Sequence, residues 1–207
     1  VVPARRSRAR WLVRHLGTLL LLLGIVALLW VVVTWRMGDP ITALYEKYEQ
    51  RSLRSALADS TRAFEAEQNR ILASSPKALP ERTPLEARAD LDRLAIAFRR
   101  KLTAGDAVGR LTIPELGLKT VVVDGTSDAA LRRGPGRDRR SFVPGEGELV
   151  YIAGHRTTYG APFAHIDSLE RGDAVYFELP YAKLTYRVTG RRIVDAQQLG
   201  ISVPDAA

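Results

Sequence analysis

The sequence predicts a mainly β domain, preceded by a transmembrane helix and by amphipathic α-helices. Residues 16–35 contain no charged side chain over twenty positions. At about 1.5 Å per residue, such a helix spans the roughly 30 Å hydrocarbon layer of a bilayer. From Ala104 onward, the spacing of apolar residues changes from helical to alternating, which is typical of half-buried strands. We therefore expect helices in the first half of the chain and strands in the second.

The charges around the apolar stretch predict its orientation in a membrane. Five arginines precede it, namely Arg5, Arg6, Arg8, Arg10 and Arg14. Only Arg36 follows closely, so the positive-inside rule puts the N-terminus in the cytoplasm and everything after residue 38 outside. A cleavable signal peptide is the alternative, but no small-residue cleavage pattern follows residue 34. The interpretation favoured here is an uncleaved, single-pass anchor.

Two further helices are predicted between the anchor and the strands. Asp39 followed by Pro40 indicates a helix start, and apolar residues at helical spacing continue to about Leu72. Residues 73–82 contain two prolines and read as a linker. Thr83 and Glu86 then form a capping box that starts a second helix. These helices either form a stalk or partner surface, or pack on the following domain or on each other.

Short alternating segments predict a β-sandwich or a barrel after residue 104. Residues 111–113, 175–179 and 184–188 alternate, the three valines 121–123 form a second short strand, and Gly, Pro and Asp lie between these segments. The apolar run 149–153 also predicts a strand, and a buried one, because it is short and ends at a glycine.

His155 is the candidate catalytic residue, because it lies just past that run in a Gly-His-Arg turn. Loops at strand ends often hold catalytic groups, and imidazole exchanges protons near neutral pH. The alternative is a turn histidine without chemistry. His165, Asp167 and Glu170 match no metal-ligand spacing and are expected to be surface polar residues. We expect neither a metal nor a cofactor.

Composition limits the remaining function classes. The chain has 31 Lys and Arg against 23 Asp and Glu, a net charge of +8. Such a balance is common in nucleic-acid-binding proteins. That function is excluded if the predicted topology holds, because the domain is then outside the cell. The 207 residues include no cysteine, so they offer neither a disulfide nor a thiol nucleophile.

The region from about Val108 resembles a sortase, and most closely the class E sortases of Gram-positive actinobacteria. The most characteristic pieces are Tyr-Ile-Ala-Gly-His-Arg at 151–156 and Tyr-Gly-Ala-Pro-Phe at 159–163. The other segments that resemble the family are residues 109–118, 123–126, 131–136, 144–148 and 169–173. Each piece is weak alone, but their order along the chain is specific, and an N-terminal anchor is also usual in this family.

The resemblance implies a barrel transpeptidase of the cell surface. In sortases, a cysteine thiolate attacks the threonine carbonyl of a Leu-Pro-x-Thr-Gly or Leu-Ala-x-Thr-Gly sorting signal. An amine of the cell-wall peptide or a pilin lysine then resolves the thioester. His155 matches the family's histidine, which exchanges protons with the cysteine and the leaving amine. The implied partners are therefore a sorting-signal peptide, that amine and membrane lipid, but not nucleic acid.

The family's cysteine and arginine have no counterparts in this chain. In sortases they lie in a Thr-Leu-x-Thr-Cys strand and in the strand after it, whereas this sequence ends at Ala207 without a cysteine. We expect either an incomplete catalytic region, with the barrel open at its C-terminal end, or a natural, inactive sortase-like module. The first is favoured, and the polypeptide as given is expected to be inactive. A non-catalytic envelope binding or scaffold protein is the alternative function.

The expected domain organisation follows from these elements. It comprises a cytoplasmic tail 1–15, a transmembrane helix 16–37, an extracytoplasmic helical stalk or linker 39–103, and a truncated sortase-like barrel 104–207.

Overall fold

The computed structural model describes residues 6–37, 40–74 and 82–194. The chain forms two compact units, Val1–Pro40 and Ile41–Ala207. Asp39, which was predicted to cap a helix, most of the predicted linker 73–82, and the segment 195–207 lie outside the described residues.

The first unit consists of one long helix, α1, over Arg6–Met37. Within it, Trp11–Val32 has a mean hydropathy of 2.4 and none of its most apolar window is buried in the protein. Leucine and valine fill this stretch, and no proline interrupts its hydrogen bonds. The predicted helix is therefore present, and it is long and apolar enough to cross a membrane.

Two more helices follow in the second unit, as the sequence predicts. Helix α2 covers Pro40–Ala73 and helix α3 covers Pro84–Arg99. The capping box of α3 is formed: Thr83 Oγ1 accepts a hydrogen bond from the Glu86 amide at 3.3 Å, and Glu86 Oε2 accepts one from the Thr83 amide at 2.7 Å. These bonds satisfy amide groups that have no partner within a helix, which fixes where α3 begins.

From residue 107 onward the structure is mainly β, as predicted, in one six-stranded sheet. The strands are β1 (Ala107–Ile113), β2 (Leu118–Asp124), β3 (Gly136–Arg137), β4 (Ile152–Ala153), β5 (Ala174–Leu179) and β6 (Ala182–Arg187), and a short helix α4 (Asp128–Leu131) follows β2. Their order across the sheet is β4-β3-β2-β1-β5-β6. All neighbours are antiparallel except β2 and β3, which are parallel. The described sheet thus has β4 and β6 at its two edges.

Helices α2 and α3 pack on this sheet. Of the two alternatives left open by the sequence, the structure has the packed arrangement. One core cluster joins Phe64 of α2 and Phe98 of α3 to Leu111 and Phe177 of the sheet. The apolar stripe predicted along α2 is buried only in part, since Leu53 is 0% exposed but Tyr48 is 71% exposed. The early turns of α2 therefore do not contribute to the core.

Strand β2 is buried on both faces. Val121, Val122 and Val123 are each 0% exposed, with Val122 in the main core and the other two in a smaller cluster with Leu53 of α2. Gln50 of α2 bonds β2 directly: its Oε1 accepts from the Val121 amide at 2.7 Å and its Nε2 donates to the Val121 carbonyl at 3.0 Å. The Gln50 side chain thus takes the two backbone hydrogen bonds that a neighbouring strand would make, at a position of β2 that β3 does not reach.

The strand that leads to His155 is shorter and less buried than the sequence predicts. The run 149–153 was expected to form a buried strand, but only Ile152 and Ala153 are in β4, both are half-buried, and Leu149 is 43% exposed. Its only ladder partner in the described chain, β3, has two residues. The rest of the run is bonded to residues 138–142 instead: Leu149 O accepts from the Phe142 amide at 3.0 Å, and Tyr151 O accepts from the Asp138 amide at 2.9 Å.

Candidate functional site

His155 lies two residues after the edge strand β4, at the start of a loop that we call the histidine loop, residues 154–163. Gly154 allows the chain to pass close to a core side chain: a Cβ there would lie 2.6 Å from the Phe163 ring. Phe163 is buried, and its amide donates a hydrogen bond to His155 O at 3.0 Å. The two ends of the loop are thereby fixed to the core and to each other.

The two ring nitrogens of His155 have different surroundings. Nδ1 lies 3.3 Å from the Thr158 hydroxyl. Nε2 is buried and has no hydrogen-bond partner among the described residues. Such an unsatisfied buried nitrogen costs free energy and calls for a functional explanation. One nitrogen is thus oriented by the loop, and the other is available to exchange a proton.

Tyr159 forms one wall of the site. Its ring centroid is 5.1 Å from that of His155, and the guanidinium carbon of Arg132 is 5.8 Å from the same Tyr159 ring. Tyr159 and Ala161 both have positive φ angles, +50° and +43°. For residues other than glycine this conformation costs roughly 1–3 kcal/mol each and occurs often at functional sites.

Arg156 supports the loop from its exposed side. Its Nη2 donates to Asp167 Oδ1 at 2.8 Å and to Ala164 O at 3.1 Å. Both charged side chains are more than half exposed, so this pair contributes little to the free energy of folding. Its role is to join the loop to the 3-10 turn Ile166–Ser168.

The other polar residues singled out in the sequence do not join His155. His165 and Glu170 are exposed, and Asp167 is paired with Arg156. No group of three or more metal-ligating side chains is found within residues 6–37, 40–74 and 82–194. The sequence analysis gave no role to Thr158 or Tyr159. Tyr159 belongs to a segment that carries the family resemblance and Thr158 directly precedes it, but nothing in one sequence separates a loop residue that contacts histidine from one that does not.

An oriented imidazole with one free nitrogen suits general acid and base catalysis. The chain has no cysteine, and among the described residues the hydroxyl at hydrogen-bonding distance from the ring is that of Thr158. The arrangement therefore fits one member of a catalytic pair.

Comparisons with known proteins find similarity to one family. The model of the sortase domain family matches residues 111–206. Sortase D of Bacillus subtilis (strain 168) is 33% identical over 101 residues, which are 49% of this chain and 50% of that protein. Sortase A of Bacillus anthracis is 29% identical over 105 residues, 50% of each chain. The chain thus spans about half the length of the curated relatives it matches.

A solved structure shows the same fold. Sortase C1 of Streptococcus agalactiae has a TM-score of 0.50 and 22% identity, over 75% of this chain and 84% of that one. At this identity the likeness concerns the fold alone. Residues 111–206 thus match the sortase domain family, in agreement with the two sequence relatives and with the ordered motifs around His155.

Proposed function

We propose that this chain is the histidine-bearing part of a membrane-anchored cysteine transpeptidase. Its substrates are Leu-Pro-x-Thr-Gly or Leu-Ala-x-Thr-Gly sorting signals of secreted surface proteins. The acceptor is an amine of the cell-wall peptide or a pilin lysine, so the reaction joins surface proteins to the wall or pilins to each other. The observation that supports this most directly is the buried Nε2 of His155, just after β4, which has no hydrogen-bond partner in the part of the chain that the structure describes.

His155 serves as acid and then as base in this proposal. A thiolate attacks the threonine carbonyl, and the protonated imidazole donates its proton to the departing glycine amine. The neutral imidazole next takes a proton from the incoming amine, which attacks the thioester and releases the thiolate, so that the starting pair of thiolate and imidazolium is restored. A positioned imidazole contributes about 10²–10⁴ to such rates. Thr158 holds the ring through Nδ1, which leaves Nε2 for both transfers.

The thiol has to come from outside these 207 residues, which contain no cysteine. We therefore propose that the polypeptide alone forms no thioester and does not cleave sorting signals. The same observation supports a second candidate function, a non-catalytic envelope protein that binds partners through a sortase-like domain. The two candidate functions differ in whether His155 pairs with a catalytic cysteine thiol.

The proposed location is the cell membrane, with one crossing. Helix α1 has the required length and hydropathy, and arginines precede it. The N-terminus is then cytoplasmic and the sheet extracytoplasmic. In this proposal residues 1–15 are the cytoplasmic tail and residues 16–37 the transmembrane anchor. Residues 39–103 are the extracytoplasmic helical stalk or linker, and residues 104–207 are the barrel domain. The assignment to class E, rather than another sortase class, is likewise a proposal based on the motifs.

A cleavage assay on the full chain in detergent micelles tests the proposed inactivity. The substrates are fluorescent peptides with either sorting motif, with hydroxylamine as the acceptor amine. We expect no cleavage above that of a His155→Ala variant. Turnover that His155→Ala removes would overturn the proposal that a thiol from elsewhere is needed. Reading the gene past codon 207 separates the two functions: a Thr-Leu-x-Thr-Cys segment followed by an arginine favours the enzyme, and a stop codon favours the binding protein.

A further inference from the structure

The first two turns of helix α2 contact the histidine loop at Tyr159. The Tyr159 amide donates a hydrogen bond to Thr42 Oγ1 at 3.0 Å, 117 positions away in sequence. The Tyr159 ring meets the Tyr45 ring edge to face, with centroids 6.4 Å apart. The same Tyr159 ring is 5.1 Å from the imidazole of His155. One residue therefore contacts both α2 and the candidate catalytic histidine.

A second contact from α2 lies one residue further along the loop. A Cβ built at Gly160 would be 3.0 Å from Glu46 Oε2, so the α2 side chain reaches the loop backbone itself. Thr42, Tyr45 and Glu46 are spaced at i, i+3 and i+4, which puts them on one side of the helix. These early turns are not part of the hydrophobic core clusters. Their contacts with the loop are thus separate from the packing that fixes the rest of α2.

The loop needs such support because its backbone is strained. Tyr159 at φ +50° and Ala161 at φ +43° are in the left-handed region without being glycine. Conformations of this kind persist only where the surroundings hold them. Tyr159 is held at its amide by Thr42 and at its ring by Tyr45 and Arg132.

We infer that Thr42 and Tyr45 are positioning residues for His155, acting through Tyr159. They keep the loop in the conformation in which Nδ1 meets Thr158 and Nε2 stays buried. The catalytic meaning of this inference rests on the proposed function, but the mechanical link does not. The surroundings of the His155 ring therefore depend partly on the first turns of α2, the helix that follows α1 in sequence, and not on the sheet alone.

Chemical modification of the histidines tests the link in the full chain, held in detergent micelles at a temperature well below unfolding. Diethyl pyrocarbonate acylates unprotonated imidazole nitrogens, and mass spectrometry gives the rate for each histidine. His165 is exposed and serves as the internal reference. In Thr42→Val, we expect the ratio of the His155 rate to the His165 rate to rise about five-fold, as for the loss of one ordinary hydrogen bond.

The matched control is Thr61→Val, on the same helix. The Thr61 hydroxyl donates to Leu57 O at 2.8 Å, within α2, so this variant also loses a threonine hydrogen bond but not one to the loop. Its rate ratio should equal that of the unmodified sequence. An equal ratio in all three proteins would overturn the inference, as would an equal rise in both variants.

A second pair keeps the test decisive if Thr42→Val does not fold. Tyr45→Leu removes the ring that meets Tyr159, while Tyr48→Leu changes a tyrosine one turn later that is 71% exposed. We expect the rate ratio to rise in the first and stay unchanged in the second. A merely structural role of Tyr45 would lower the unfolding temperature and leave the ratio unchanged. Because the readout needs no cleavage, it can fail while the proposed function stands, and the reverse also holds.

Discussion

Gly154→Ala is a direct test of how the histidine loop is joined to the core. The added Cβ would lie 2.6 Å and 2.8 Å from two atoms of the Phe163 ring. Carbon atoms in contact are ordinarily about 3.5–4.0 Å apart, so the ring or the strand end must move by roughly 1 Å. Gly154 does not have a positive φ, so the effect is steric and not a matter of backbone conformation.

The magnitude follows from the position of Phe163. It is 7% exposed and belongs to the main core, so it has little room to move. Overpacking of this kind costs about 1–3 kcal/mol. For a unit of this size, the unfolding temperature falls by about 2–4 °C for each kcal/mol.

The assay is thermal and urea unfolding of the full chain in micelles, followed by near-ultraviolet circular dichroism. Gly190→Ala is the matched control, because a Cβ there has no atom within 4 Å. We expect the control to change the free energy of unfolding by less than about 0.5 kcal/mol. If Gly154→Ala were as stable as Gly190→Ala, the close approach of Gly154 to Phe163 would not exist as described.

Two further predictions concern charged groups. Asp124 is 0% exposed and accepts hydrogen bonds from the buried Arg137, which otherwise donates to the carbonyls of Asp138 and Ser141, so Asp124→Ala leaves a buried positive charge without its carboxylate and should cost about 3–5 kcal/mol in urea unfolding. Asp59→Ala, which breaks an exposed pair with Arg62, should cost less than about 1 kcal/mol, and equal effects would contradict this reasoning. Burial raises the pKa of Glu46 above its ordinary value, so ionising it opposes folding and stability falls as the pH rises through the folded-state pKa. The free energy of unfolding of Glu46→Gln should therefore equal that of the unmodified sequence at pH 3 and exceed it at pH 7. A variant that is more stable at pH 3 but not at pH 7 would show that the pKa of Glu46 is lowered by folding instead.

Local chemistry explains which features the sequence predicts well. The start of α3 depends on Thr83 and Glu86, three residues apart, and both hydrogen bonds are formed. Strands β1, β5 and β6 are predicted by alternation and β2 by its three consecutive valines, and each of them pairs over several residues with a neighbour. Helix α1 follows from an uninterrupted apolar composition.

The features that the sequence did not predict depend on contacts between distant segments. Residues 149–153 are apolar, yet Leu149 is exposed, because β4 extends only as far as its two-residue partner strand β3. From the sequence, Gln50 is an ordinary polar residue of a helix, but in the fold its side chain makes the backbone hydrogen bonds to Val121 that a neighbouring strand would make. His155 was located by its place after a strand and by the motifs around it, but its contacts with Thr158 and Tyr159 needed the fold.

The central claim is that His155 exchanges protons with a thiol that these 207 residues do not contain. The most direct measurement expresses the reading frame as it continues past codon 207 and follows amine-dependent cleavage of a Leu-Ala-x-Thr-Gly peptide. We expect the continued frame to supply a Thr-Leu-x-Thr-Cys segment, and His155→Ala to lower the rate by about 10²–10⁴. A stop codon directly after codon 207, or full activity in His155→Ala, would contradict the claim.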